Sequence, residues 1–300
     1  MSRTFFIEKR CKITQKISHA QYSEAKSLKM GISLFPLACL KKKQYLCTVF
    51  YKSSNLQIFK SEMPNDHMIH FDHVTHYYGK RLIYEDLSFS VPRGRILGLL
   101  GKNGTGKTTT INILSGFIQP YAGSCRLLGY DTRTMPDKER ARIGLLLEGH
   151  VQYPFMTIEQ IERFYAPFYP RWNKEAYYEL MRLLKVKDYQ LLSQMSNGQR
   201  SQVALGLLMA QDPELLILDD FSLGLDPGYR RLFVEYLRDF CKKGEKTVFL
   251  TSHIIQDLER LVDDCIIMDY GRILKQCPVS ELITPDKTLE DTFIDLTGKY

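Results

Sequence analysis

The sequence predicts an α/β fold organised around a parallel sheet, and three apolar runs predict it. The first, Arg95–Leu100, leads into Gly101-Lys102-Asn103-Gly104-Thr105-Gly106-Lys107-Thr108, which is followed by the helical run Thr109–Ser115 and Gly116. The other two, Leu215–Leu218 and Thr247–Leu250, are continuously apolar, as expected of strands buried on both faces of a parallel sheet. They end in Asp219-Asp220 and in Thr251-Ser252-His253. Ligands of open α/β sheets sit at the carboxyl ends of the parallel strands, so all three ends are candidate site positions.

The glycine segment matches G-x-x-x-x-G-K-[ST], the phosphate-binding loop, in its strand–loop–helix context. Its glycines let successive N–H groups turn toward one phosphate, and the helix N-terminus adds partial positive charge. Lys107 supplies a mobile cation for β and γ phosphates, and Thr108 offers a hydroxyl to Mg²⁺.

Around this core the elements follow in order. Ile69–Phe71 with Val74, and Leu87, Phe89 and Val91, alternate as antiparallel strands do, with Tyr77-Tyr78-Gly79-Lys80 as the turn between them. An aromatic there stacks on a base or packs beside the turn. Pro120 and Gly123 mark a loop, and Cys125–Leu128 returns as a strand. From about Gly149 to Gly198 the pattern is helical. Thr157–Gln160 forms a capping box, Ile158, Ile161 and Phe164 follow at helical spacing, and Pro170 ends that helix. A second helix over Lys174–Val186 carries Leu180, Leu183 and Leu184 on one side. Cys265–Met268 and Arg272–Leu274 flank Asp269-Tyr270-Gly271 as a hairpin.

Composition bounds the function classes. The chain is 44% hydrophobic and 25% charged, ordinary for a globular protein. No apolar run approaches the length needed to span a bilayer, which argues against a channel built by this chain. The net charge of +7 is localised. Residues 1–66 carry 12 Lys/Arg against 4 Asp/Glu, while the remainder stands at −1. A nucleic-acid reading from overall basicity would therefore mislead, and no nucleic-acid partner is expected. Residues 1–67 read as a basic extension, either unstructured or upstream of a start at Met63 or Met68. Met30–Leu40 lacks the position and cleavage site of a signal segment. Cys11, Cys39, Cys47, Cys125, Cys241, Cys265 and Cys277 form no C-x-x-C pair and read as free thiols in a reducing cytosol.

From about Met68 to Pro278 the ordered motifs resemble the ATP-binding subunit of an ABC transporter. Tyr78 matches the base-stacking aromatic, and Gly101–Thr109 match the phosphate loop, so Thr109 joins the ATP-binding set. Met195-Ser196-Asn197-Gly198-Gln199 is similar to the family signature, Leu215–Asp219 to the Walker B strand, Ser222–Asp226 to the D-loop, and His253 to the switch histidine. The resemblance implies a P-loop NTPase core with an antiparallel β subdomain and an α-helical subdomain. That gives an ATPase domain over 68–280, with the helical part at about 149–205 and a short tail over 281–300.

It also implies roles. Asp219, with Thr108 and Glu148, would hold Mg²⁺. Asp220 would polarise the attacking water, and His253 would bond the γ-phosphate. Ser196, Asn197, Gly198 and Gln199 would serve ATP held by a second subunit, with Asp226 in the D-loop. The partners implied are that second ATP-binding subunit and an integral membrane permease, whose coupling helix would dock near Gly149–Phe155. The chain would lie peripherally on the cytoplasmic face of the membrane. The Glu at the Q-loop position and the short C-terminal end resemble bacterial export subunits.

Three positions depart from the family pattern. Asp220 replaces the usual Glu and withdraws the carboxylate by about 1 Å, which matters for positioning. Glu148 replaces Gln. Asn197 replaces the first signature glycine and tolerates left-handed backbone. The short Asp220 keeps open a soluble or regulatory ABC-type ATPase with weak hydrolysis.

Overall fold

The computed structural model describes residues 67–147, 153–183, 187–221, 225 and 227–298. The basic extension over 1–66 lies outside the described residues, as do Glu148, Gly149–Gln152, Ser222–Gly224 and Asp226.

Two sheets form the body. In the first, β1 (His67–Tyr78), β2 (Arg81–Pro92), β4 (Ala122–Leu127) and β5 (Tyr130–Asp131) pair antiparallel in the order β2-β1-β4-β5. The second contains β3 (Ile96–Gly101), β6 (Ile143–Leu146), β7 (Leu215–Leu218), β8 (Thr247–Thr251), β9 (Asp264–Asp269) and β10 (Arg272–Pro278). Its order is β10-β9-β3-β8-β7-β6, parallel except for the β9–β10 hairpin. That hairpin turns at Tyr270 (φ 41°) and Gly271 (φ 75°); paired positive φ values match the right-handed twist of flanking strands.

The continuous apolar runs have the expected cause: every residue of β7 and β8 is buried. Alternate side chains enter two cores. Leu216, Leu218, Val248, Leu250, Leu100 and Ile267 face one; Leu215, Ile217, Phe249, Leu97, Leu99 and Ile266 face the other. The second core is closed by helix α1 (Lys107–Leu114) and by the antiparallel sheet, with Phe89 stacked between Phe71 and Phe249 at 4.9 and 5.8 Å. Short helix α2 (Asp137–Arg140) precedes β6.

The first core takes the remaining helices: α3 (Ile158–Tyr165), α4 (Lys174–Leu183), α5 (Asn197–Ala210), α6 (Pro227–Lys243), α7 (Ile255–Leu261) and α8 (Leu289–Thr297). Helix α3 starts with the expected capping box, Thr157 and Gln160 bonding each other's backbone N–H. It ends at Tyr165, ahead of a 3-10 turn over Ala166–Phe168, earlier than Pro170. Helix α4 differs from its predicted stripe. Tyr177, Leu180 and Met181 are its buried residues, whereas Leu183 is 56% exposed. The reason is α5, whose Gly206 lets Tyr177 and Met181 pack against its backbone.

At the end of the parallel sheet opposite the glycine loop, Glu214 collects arginines from three places. Arg142 grips it bidentately at 2.9 and 2.6 Å, Arg171 from the helical segment donates at 2.9 Å, and Arg93 lies at 3.6 Å. These cations hold its carboxyl well below the usual range, at about 2, with the Arg142 hydrogen bonds the largest cause. A depressed folded pKa contributes stability that is present above the ordinary value of 4.5 and is lost as pH falls toward 2. Glu214→Gln should therefore lower unfolding stability at pH 7 by about 1–3 kcal/mol, and the gap should narrow below about pH 4. Urea midpoints of both proteins at pH 7 and pH 3 check this; coincident midpoints at pH 7 would refute it.

Candidate functional site

The glycine loop lies between β3 and α1, as its spacing requires. Gly106 caps α1 at φ +109°, where a Cβ would press on Ile83 and Tyr84 at 3.0–3.1 Å, so glycine is needed for both backbone and space. Lys107 is 7% exposed, and its Nζ donates to the carbonyls of Gly101 (2.6 Å) and Lys102 (3.0 Å). Thr105 Oγ1 also donates to Lys102 O, at 2.9 Å. The first turn of α1 holds no acidic residue. Its free N–H groups and a buried ammonium therefore suit an anion. Burial pulls the Lys107 ammonium below its ordinary pKa, while Asp220 and Asp219 oppose that shift. Thr108 is exposed and Thr109 buried at the same helix start. Asn103 and Gly104 are exposed at the tip of the loop.

Asp219 and Asp220 follow β7, beside β8. Thr251 Oγ1 donates to Asp219 Oδ1 at 2.7 Å and accepts from the Asp220 N–H at 3.1 Å. Asp220 takes left-handed backbone, φ 46°, which carries its carboxylate toward the loop after β8. There Asp220 Oδ2 is 2.9 Å from His253 Nε2. Asp220 Oδ1 is buried without a hydrogen-bond partner among the described residues, an arrangement that costs about 1–3 kcal/mol. Among the described residues no three His, Cys, Asp or Glu side chains form a metal site by themselves. The donor set fits a divalent cation completed by phosphate oxygens: one Asp219 carboxylate and the Thr108 hydroxyl, both of the oxygen type Mg²⁺ takes.

The structure thus brings together Lys107, Asp219, Asp220 and His253. Tyr78 ends β1 with its ring 48% exposed and its edge set against His76 at 4.9 Å. The signature residues stand apart: among the described residues, the hydrogen bonds of Ser196–Gln199 stay within α5 and its cap. Ser196 is the N-cap, with Gln199 Nα donating to Ser196 Oγ at 3.1 Å and the reverse bond at 3.0 Å. Asn197 has helical backbone and makes no use of its tolerance for the left-handed region. It is the first residue of α5, and its side-chain carbonyl accepts from Arg200. Gly198 lies in the first turn of α5.

Two neighbours of the site were missed from sequence. Thr251 was visible as a strand-end residue, but its bridging role needs the β7–β8 register. Arg81 carries no motif; only the β1–β2 hairpin brings it to the glycine loop.

Comparisons with known proteins agree on one family. The ABC transporter family profile matches residues 84–222. The Nod factor export ATP-binding protein I of Paraburkholderia xenovorans is 33% identical over 224 residues, covering 73% of each chain. The chain belongs to the ABC transporter family. The counterpart in Ralstonia nicotianae is 33% identical, over 69% of this chain and 66% of that protein. The linearmycin resistance ATP-binding protein of Bacillus subtilis is 30% identical, over 77% and 75%. Among solved structures, an ATP-binding subunit of an ABC transporter superposes with TM-score 0.68 at 27% identity, over 76% of this chain and 99% of that one. A bacterial ABC exporter with ATP bound shares the fold, with TM-score 0.65 at 20% identity. The ABC domain is an ATP-binding, ATP-hydrolysing unit.

Thr251→Val should remove both bonds that tie Asp219 to Asp220. We expect an unfolding stability lower by about 1–2 kcal/mol and ATP turnover lower by on the order of tenfold, with Thr251→Ser retaining most of both. Wild-type turnover in the valine variant would remove Thr251 from the site.

Proposed function

We propose that this chain is the ATP-hydrolysing subunit that drives export through a separate membrane permease, working from the cytoplasmic face as a pair of ATP-binding subunits. The observation that carries this is the meeting of Lys107, Asp219, Asp220 and His253 at the carboxyl ends of three strands. Relatives named for Nod factor export and linearmycin resistance support the export direction. Among the described residues no helix is long and apolar enough to cross a membrane, so the conduit is assigned to another chain.

Tyr78 stacks on the base. The loop N–H groups of Gly101–Thr109, with Lys107, take the phosphates. Mg²⁺, when bound, neutralises phosphate charge; Asp219 and Thr108 hold it, with Glu148 as a further ligand. Asp220 orients the attacking water, and His253 steadies that carboxylate and reaches the γ-phosphate. The exposed face beside the helical segment takes the permease. There Phe155 is 66% exposed and joins Tyr153, Phe164 and Phe168 in one aromatic cluster. The capped N-terminus of α5, Ser196–Gln199, serves the ATP of the opposite subunit, and Asp226 is assigned to the D-loop.

Two variants test this reading. Asp220→Asn should keep ATP binding and lower turnover by on the order of 10²–10³-fold, measured as phosphate release with Mg-ATP; undiminished turnover would show that another group orients the water. Ser196→Arg should spare ATP binding by the monomer yet abolish ATP-driven dimerisation and hydrolysis, followed by sedimentation and phosphate release. Normal hydrolysis in that variant would overturn the shared site.

A further inference from the structure

We propose that Arg81 is a further nucleotide-binding residue, contacting the α-phosphate between the base platform and the glycine loop. The proposal rests on the ATP-site reading above and adds a residue to it. Three placements carry it. Arg81 is the direct cross-strand partner of Tyr78 where β1 and β2 meet. The start of β2 runs along the glycine loop: Ile83 and Tyr84 abut Gly106, and Arg81 Nη2 comes within 3.5 Å of the position a Cβ on Gly104 would take. Arg81 and Ile83, two apart on one strand, share a face, and both meet loop glycines. Finally, Arg81 is exposed, and among the described residues no carboxylate pairs with it. An exposed guanidinium beside the glycine loop, with no carboxylate paired to it among the described residues, presents a donor fork matched to phosphate oxygens.

Order along the nucleotide fixes which phosphate. Tyr78 lies at the base end, and Lys107, rooted behind the loop among Asp219 and Asp220, lies at the terminal-phosphate end. A residue paired with Tyr78 and resting on Gly104 stands between them, at the level of the α-phosphate. A Cβ on Gly104 would sit in ordinary contact with the guanidinium; it is the φ of +81° that calls for glycine there.

Calorimetric titration of the full chain with ATP and with ADP tests the idea. Arg81→Met should weaken both nucleotides by a similar factor, about tenfold, with Arg81→Lys intermediate and the ligand-free unfolding midpoint unchanged. Lost affinity for ATP alone would place Arg81 at the γ-phosphate and overturn the assignment, as would unchanged affinity for both. A lowered ligand-free midpoint with affinity retained would make Arg81 structural only. Lys107→Ala is the reference. If it loses nucleotide while Arg81→Met does not, only the arginine proposal fails; if Lys107→Ala itself binds normally, the ATP site is misplaced.

Discussion

Register in the parallel sheet is the constraint on which the rest depends. Leu99 pairs with Thr251, and Leu218 with Leu250. With both faces buried, neighbouring residues of β3, β7 and β8 enter different cores. A slip of one residue would exchange the two sets of side chains. Because the cores enforce the register, the last residues of three strands from distant parts of the sequence arrive together. Gly101, Asp219 and Thr251 need no contact of their own to be brought near. The single hydroxyl of Thr251 then settles the fine geometry, bonding one carboxylate and the backbone of the next residue.

Charge within this pocket is balanced between its walls. The ammonium of Lys107, desolvated and pulled below its ordinary pKa, has Asp219 and Asp220 as its counter-charges. Its present hydrogen-bond acceptors are loop carbonyls. Phosphate oxygens carry full charge and form stronger bonds to an ammonium than carbonyls do. On the proposed reading, an exchange from carbonyl to phosphate would favour binding without a new cation having to be buried. The desolvation has already been met in folding, by the burial of Lys107 itself at the start of α1.

Legibility in the sequence followed how local each cause was. The glycine loop, the Thr157–Gln160 capping box and the β7 and β8 strands are set by neighbours within a few residues, and the sequence showed all of them. The β9–β10 hairpin was also visible, through Gly271. Leu183 misled because helical spacing cannot say which side of a stripe the partner occupies; Gly206 on α5 shifted the buried face to Tyr177 and Met181. At Asn197 the sequence offered only a tolerance for left-handed backbone, and the capping box set that backbone as helical. Thr251 and Arg81 were out of reach for a different reason. Each acts through a partner in another strand or loop, and no spacing within one chain segment encodes that.

The short Asp220 side chain is the least ordinary feature of the site, and the backbone bears on it. At φ 46° this residue takes the left-handed backbone that Asp adopts more readily than most L-residues. One carboxylate oxygen is held by His253 and the other is buried without a partner among the described residues. A fold with no use for that oxygen would be more stable with an apolar residue there, since an unsatisfied buried acceptor costs about 1–3 kcal/mol. An unfilled acceptor beside the glycine loop suits a group whose partner arrives only with the ligand. On the proposed reading, the lost methylene shifts where the attacking water would stand without removing the carboxylate that would orient it.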